Sequence, residues 1–170
     1  MFEIRAVNNI VIDQITAFTK YNNGGAQLYR YNRTYVTGTE LGYKDFSGGT
    51  HPFDTNQWTQ IVSVNANSSA NHEIALPFTG ASSNLTEICA GKTATFYVHA
   101  VGGGTYPKMR TDAHPQNNAG QFGGGTPLVP DLVYGWGLYL RANSTGLPFL
   151  SGSSADAEAN HMRIHYHTVV

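Results

Sequence analysis

Charge is the scarcest resource of this 170-residue chain: only 12% of its residues are Asp, Glu, Lys or Arg, about half the usual globular share. Ten basic residues face eleven acidic ones, a formal balance of -1. Without a dense basic field there is no strong nucleic-acid signal. Such a surface has little charge to desolvate when it meets another protein. Cysteine is nearly absent too. Cys89 stands alone, which excludes an intrachain disulfide. Its neighbours Ile88 and Ala90 predict a buried, inert thiol.

No apolar run approaches the roughly 18 residues of a membrane helix, so no membrane span is expected. The opening MFEIRAV lacks a basic segment leading into an apolar one, so no export leader is expected either. Signature motifs of catalysis are missing: there is no GxSxG elbow, HExxH helix, zinc-knuckle spacing or dinucleotide fingerprint. The two GGGT runs lack the lysine and the strand-to-helix setting of a phosphate cradle. Acidic residues are scattered, and the expectation is no catalytic residue, no cofactor and no enzymatic activity.

What the chain does contain is alternation. Leu132 to Ala142, LVYGWGLYLRA, places Trp136, Leu138, Leu140 and Ala142 on one parity and Gly135, Gly137, Tyr139 and Arg141 on the other. Side chains two apart share a strand face, so this reads as a core strand with a wet or partner-facing second side. Lys92 to Val101 alternates with apolar residues on both parities and predicts a central strand. Trp58, Val62 and Val64 are expected to face one way. Ile10 to Lys20 fits a helix or a strand, and its β-branched residues favour the strand. Asn22-Asn23-Gly24-Gly25 is the strongest hairpin signal. Pro77, with no N–H, puts its segment at an edge or at its own end.

The extended segments are 2–7, 10–19, 26–36, 58–64, 72–78, 92–101, 132–142 and 161–169. Together they predict one all-β domain over 1–170, a two-sheet antiparallel sandwich with long Gly-rich loops. A jelly-roll-like order is the first choice and another β-barrel the second. Ala155 to Asn160 is expected to form a single helical turn.

Candidate contact residues follow from this layout. Tyr29, Tyr31 and Tyr35 share a strand parity and form a tyrosine row. With Trp58, Trp136, Tyr139 and Arg141 they are candidates for an inter-subunit face or a sugar platform, since tyrosine and tryptophan join an apolar ring to a polar tip. The stretch 102–130, with two triple-glycine runs and four prolines, is long for a turn and is expected to make contacts. Lys108, Arg110, Asp112 and His114 carry its charge. In the terminal strand His161, Arg163, His165 and His167 alternate with Met162, Ile164 and Tyr166. His165 and His167 are weak metal candidates because an HxH strand can ligate zinc, but no metal site is assigned.

Low charge, compact β patterning and glycine-rich loops together point to a structural assembly protein. The expectation is a viral or phage particle component, whether capsid, decoration or fibre. It would self-associate into a trimer or larger assembly, alone or with other particle proteins, in a virion assembled in host cytoplasm. The alternative is a carbohydrate-binding β-sandwich module, glycan-binding through those aromatics. A hydrolytic enzyme is third, and a soluble cytoplasmic location is the alternative to the virion.

Overall fold

The computed structural model describes residues 2–18, 24–31, 35–36, 58–65, 73–102, 111–113, 131–142, 152–160 and 162–170. The described strands are β1 (Phe2–Ala6), β2 (Ile10–Phe18), β3 (Gly24–Tyr31), β4 (Tyr35–Val36), β5 (Trp58–Val64) and β6 (Glu73–Pro77). A one-turn helix, α1 (Ser83–Thr86), leads into β7 (Glu87–Ile88). Then come β8 (Lys92–Gly102), β9 (Thr111–Ala113), β10 (Leu132–Ala142), β11 (Gly152–Asn160) and β12 (Met162–Thr168).

Two antiparallel sheets result. The larger runs β5-β3-β8-β1-β10-β11-β9, with β4 also on β8; the smaller runs β12-β2-β6, with β7 also on β2. The expected all-β, two-sheet architecture is therefore present. β8 is central, hydrogen-bonded to β1 and β3. Pro77 ends β6 on the flank of the small sheet, where its missing N–H costs no ladder bond.

The two sheets share one core. Phe2, Ile4 and Ala6 of β1, Leu28 of β3 and Phe96 of β8 meet Ile10, Ile12, Ile15, Ile74, Leu76 and Phe78 from the small-sheet side. Phe96 stacks on Phe2 at 5.5 Å and meets Phe78 edge-on at 6.2 Å. Each such side chain contributes roughly 1.5–3 kcal/mol when withdrawn from water.

Strand parity is reset by bulges, which explain the helix-like spacing of β2, a strand as expected, and correct two expectations of facing, in β5 and β10. In β2, Ile10 and Ile12 are buried, and then Ile15 and Ala17 are. The pairing shifts there: His165 lies opposite Gln14, but Tyr166 lies opposite Ile12. Asp13 is the extra residue, and its carbonyl accepts a bond from the Phe78 N–H at 2.9 Å. That inserted residue makes a strand mimic a helical spacing. In β5, Val62 pairs with Leu28 but Gln60 with Tyr29. Val62 and Val64 accordingly pack on the core while Trp58 joins the opposite face, not the same one. In β10, Tyr134 pairs with Ile4 but Gly137 with Phe2. The apparent single alternation of LVYGWGLYLRA is thus interrupted.

Local turn chemistry also misled in two places. Asn22 and Asn23 lie outside the described residues, but the expected hairpin does not join β2 to β3, because the two belong to different sheets and Gly24–Gly25 lie inside β3. Gly25 is required by a close approach: a Cβ there would collide with the Val64 carbonyl and sit 2.8 Å from Asn65 backbone atoms. Gly152–Asn160, GSSADAEAN, is a strand and not a helical turn. Pairing with β10 on one side and β9 on the other supplies the ladder that its composition does not suggest.

Cys89 is another correction. It is exposed rather than buried, because it lies outside β7, where the chain turns through Ala90 and Gly91. Gly91 takes the left-handed φ of +76° that this turn needs. The described residues contain no helix long and apolar enough to cross a membrane.

Candidate functional site

Strand pairing turns the outer side of β5-β3-β8 into one aromatic surface. Tyr31 pairs with Trp58, Tyr29 with Tyr97, and Gln27 with His99. The Tyr31 and Trp58 rings lie 5.0 Å apart, and Tyr97 lies 6.2 Å from both Tyr29 and Trp58. Tyr97 also packs on His99 at 5.9 Å. The polar tips are used internally: Tyr29 donates to Gln27 Oε1 at 2.8 Å, and the Tyr97 hydroxyl shares a hydrogen bond with His99 Nδ1 at 3.0 Å.

Three residues of the expected aromatic set are therefore brought together. Tyr29, Tyr31 and Trp58 are only 9, 7 and 7% exposed within the single chain. Burial pushes the Tyr29 and Tyr97 hydroxyls upward, with the Tyr29 charge adding to the shift of Tyr97. It pulls His99 below the ordinary imidazole range. These groups stay neutral around neutrality, so the arrangement is a stacked, uncharged layer and not an acid–base pair. Tyr97 and His99 were not picked out from the sequence. The signal was present in the shared parity of KTATFYVHAV, but only the pairing of β8 with β3 reveals its partners.

The other described candidates lie elsewhere in the large sheet. Tyr35 lies in β4 opposite Thr93. Trp136, Tyr139 and Arg141 lie in β10, with Tyr139 opposite Asp156 of β11. Asp112 lies in β9 opposite Ala159. Lys108, Arg110 and His114 fall outside the described residues.

The outer side of the small sheet is polar. On β12, Arg163, His165 and His167 are exposed while Met162, Ile164 and Tyr166 are partly buried, as the terminal alternation predicts. Arg163 bonds Glu73 across the sheet, and its guanidinium lies 5.4 Å from the Phe18 ring centre. His167 Nδ1 contacts the Asp13 carboxylate at 3.0 Å, and His165 Nε2 shares a 3.3 Å bond with Thr16. Among the described residues no three His, Cys, Asp or Glu side chains converge as metal ligands. The HxH pair thus has other partners.

At the corner between sheets, Asn8 donates to Asp131 Oδ1 at 2.7 Å and Tyr166 to Asp131 Oδ2 at 3.2 Å. Burial, then Asp131, pushes the Tyr166 hydroxyl up. This corner ties the terminal strand to the start of β10.

No protein-family model, curated protein or solved structure matches this chain.

Proposed function

We propose that the chain is a structural subunit that acts by self-association, a component of a viral or phage particle. The observation that carries the reading is the flank of the small sheet. Among the described strands β12 pairs only with β2, and its core-side residues Met162, Ile164 and Tyr166 remain partly exposed. An edge strand with half-covered apolar residues is a natural template for another chain. Low charge supports the same reading, because few ions must be desolvated on contact.

A jelly-roll-like order is part of this proposal. In its support, the path crosses between sheets repeatedly, from β1 to β2, β2 to β3, β5 to β6 and β7 to β8. A capsid, decoration or fibre role and a trimer or larger ring follow by architectural analogy. The glycan-binding alternative needs open ring faces, which Tyr29, Tyr31 and Trp58 do not offer.

Native mass measurement of the purified chain, followed by electron microscopy of any large species, tests the proposal. Closed oligomers or particles are the expected result. A strictly monomeric chain at all accessible concentrations overturns it.

A further inference from the structure

β12 carries half of a metal site. His165 and His167 are exposed on one face of the strand, which sets their Cβ atoms about 6.5–7 Å apart. The Asp13 carboxylate, which can only accept, lies 3.0 Å from His167 Nδ1. In the neutral ring the proton therefore sits on Nδ1, and Nε2 keeps its lone pair. A carboxylate behind an imidazole is also the usual support of a metal-binding histidine, because it fixes the ring and makes the other nitrogen a better donor to the metal. His165 Nε2 makes a long contact of 3.3 Å with the Thr16 hydroxyl, which already receives Gln14 Nε2 at 2.9 Å. Exchanging that contact releases a second imidazole nitrogen.

Two imidazoles fill half of a tetrahedral coordination shell, and among the described residues no third ligand of the same chain converges on them. The edge position of β12 supplies the rest. Antiparallel pairing of β12 with the same strand of a second copy, about a two-fold axis at Tyr166, sets His165 opposite the partner's His167 and His167 opposite the partner's His165. Cβ atoms so opposed lie about 4.5–5.5 Å apart. An axis normal to the sheet keeps all four rings on its outer side. The same register brings Val170, fully open in the single chain, opposite the partner's Met162, whose side chain is half-buried in its own chain. Val169 already continues the ladder, its N–H donating to the Asn9 carbonyl at 2.9 Å.

We propose that a divalent transition metal of the zinc class joins two copies of this chain edge to edge at β12, held by His165 and His167 of each. Imidazole nitrogen suits zinc, copper or nickel, whereas calcium and magnesium take oxygen ligands. The inference rests on the β12 contact proposed above and adds its register and the group that locks it.

Native mass spectrometry and sedimentation velocity of the full chain, in zinc chloride and in EDTA, test it. The expected result is one zinc per two chains and a zinc-dependent doubling of the particle mass. His165→Gln and His167→Gln, both at exposed positions, are each expected to abolish that doubling, whereas His99→Gln in the large sheet keeps it. Asp13→Asn is expected to weaken zinc binding by about 10–100-fold. The absence of bound zinc overturns the inference, as does zinc held equally well by both histidine variants or bound without a gain in mass. Oligomers of equal size in zinc and in EDTA overturn it too, but leave the self-associating subunit standing. A chain that stays monomeric in both removes both readings.

Discussion

Phe96→Ala tests whether the two sheets are one cooperative body. Phe96 is fully buried, stacked on Phe2 of its own sheet, edge-on to Phe78 at the small sheet, and beneath the Arg30 guanidinium. Truncating a buried phenylalanine costs about 3–5 kcal/mol, depending on how far the site collapses. Here collapse is restrained, because β8 is held by ladders on both sides. Arg30 would also lose the ring face beneath it, a contact worth on the order of 1–2 kcal/mol when desolvated. The expected loss is therefore about 5 kcal/mol, comparable with the whole stability of a modest domain. Urea unfolding by fluorescence and circular dichroism gives the value. Phe96→Leu, expected to cost about 1.5 kcal/mol or less, serves if the alanine variant does not fold. A double-mutant cycle with Phe78→Ala isolates the contact between sheets, expected at about 0.5–1.5 kcal/mol. A Phe96→Ala loss below about 2 kcal/mol, or no coupling between the two phenylalanines, refutes a shared core.

Two further perturbations probe features that depend on single groups. Gly25→Ala drives a methyl into the Val64 carbonyl and is expected to cost about 3 kcal/mol; hydrogen exchange should show the loss concentrated in the β3–β5 ladder. His99 is held below its ordinary value of 6.5 by burial. The unfolded chain thus takes up this proton first as pH falls, and stability drops below about pH 6.5. His99→Gln should flatten that acid-side decline in Tm, and an unchanged pH slope would remove His99 from the account.

Strand existence was legible because it rests on local alternation, and alternation is a direct record of which residues must leave water. Each of the eight expected extended segments contains a described strand, as at 58–64 and 132–142, although 26–36 holds two, β3 and β4. Facing was less legible, because a bulge is one unpaired residue with no composition of its own. Nothing in IVIDQITAF marks Asp13 as inserted; the bond from the Phe78 N–H to its carbonyl is made by a segment 65 positions later in the chain. β11 was hidden for a related reason. Serine, alanine and aspartate carry little strand preference, and its conformation comes from the neighbours on either side. The candidate aromatics were visible by type, but their covering was not. Tyr29 and Trp58 look like an exposed platform until pairing adds Tyr97 and His99 to the same layer.

That layer narrows where any partner can dock. At β3 and β8 the large sheet hides Leu28 and Phe96 on one side and Tyr29 and Tyr97 on the other. Both faces there are already committed within the chain. The small sheet is different: one face joins the core, while the other presents Arg163 with Glu73 and His167 with Asp13. The Arg163–Glu73 ion pair and the Asp13 carboxylate are solvated there, so covering them would exchange solvated charges for buried ones at a net cost. A partner that adds alongside β12 avoids that cost. It satisfies backbone groups at the edge, covers the open sides of Met162, Ile164 and Tyr166, and leaves the charged groups of the polar face in water. The physical preference is therefore for association through the strand edge and not across the polar face.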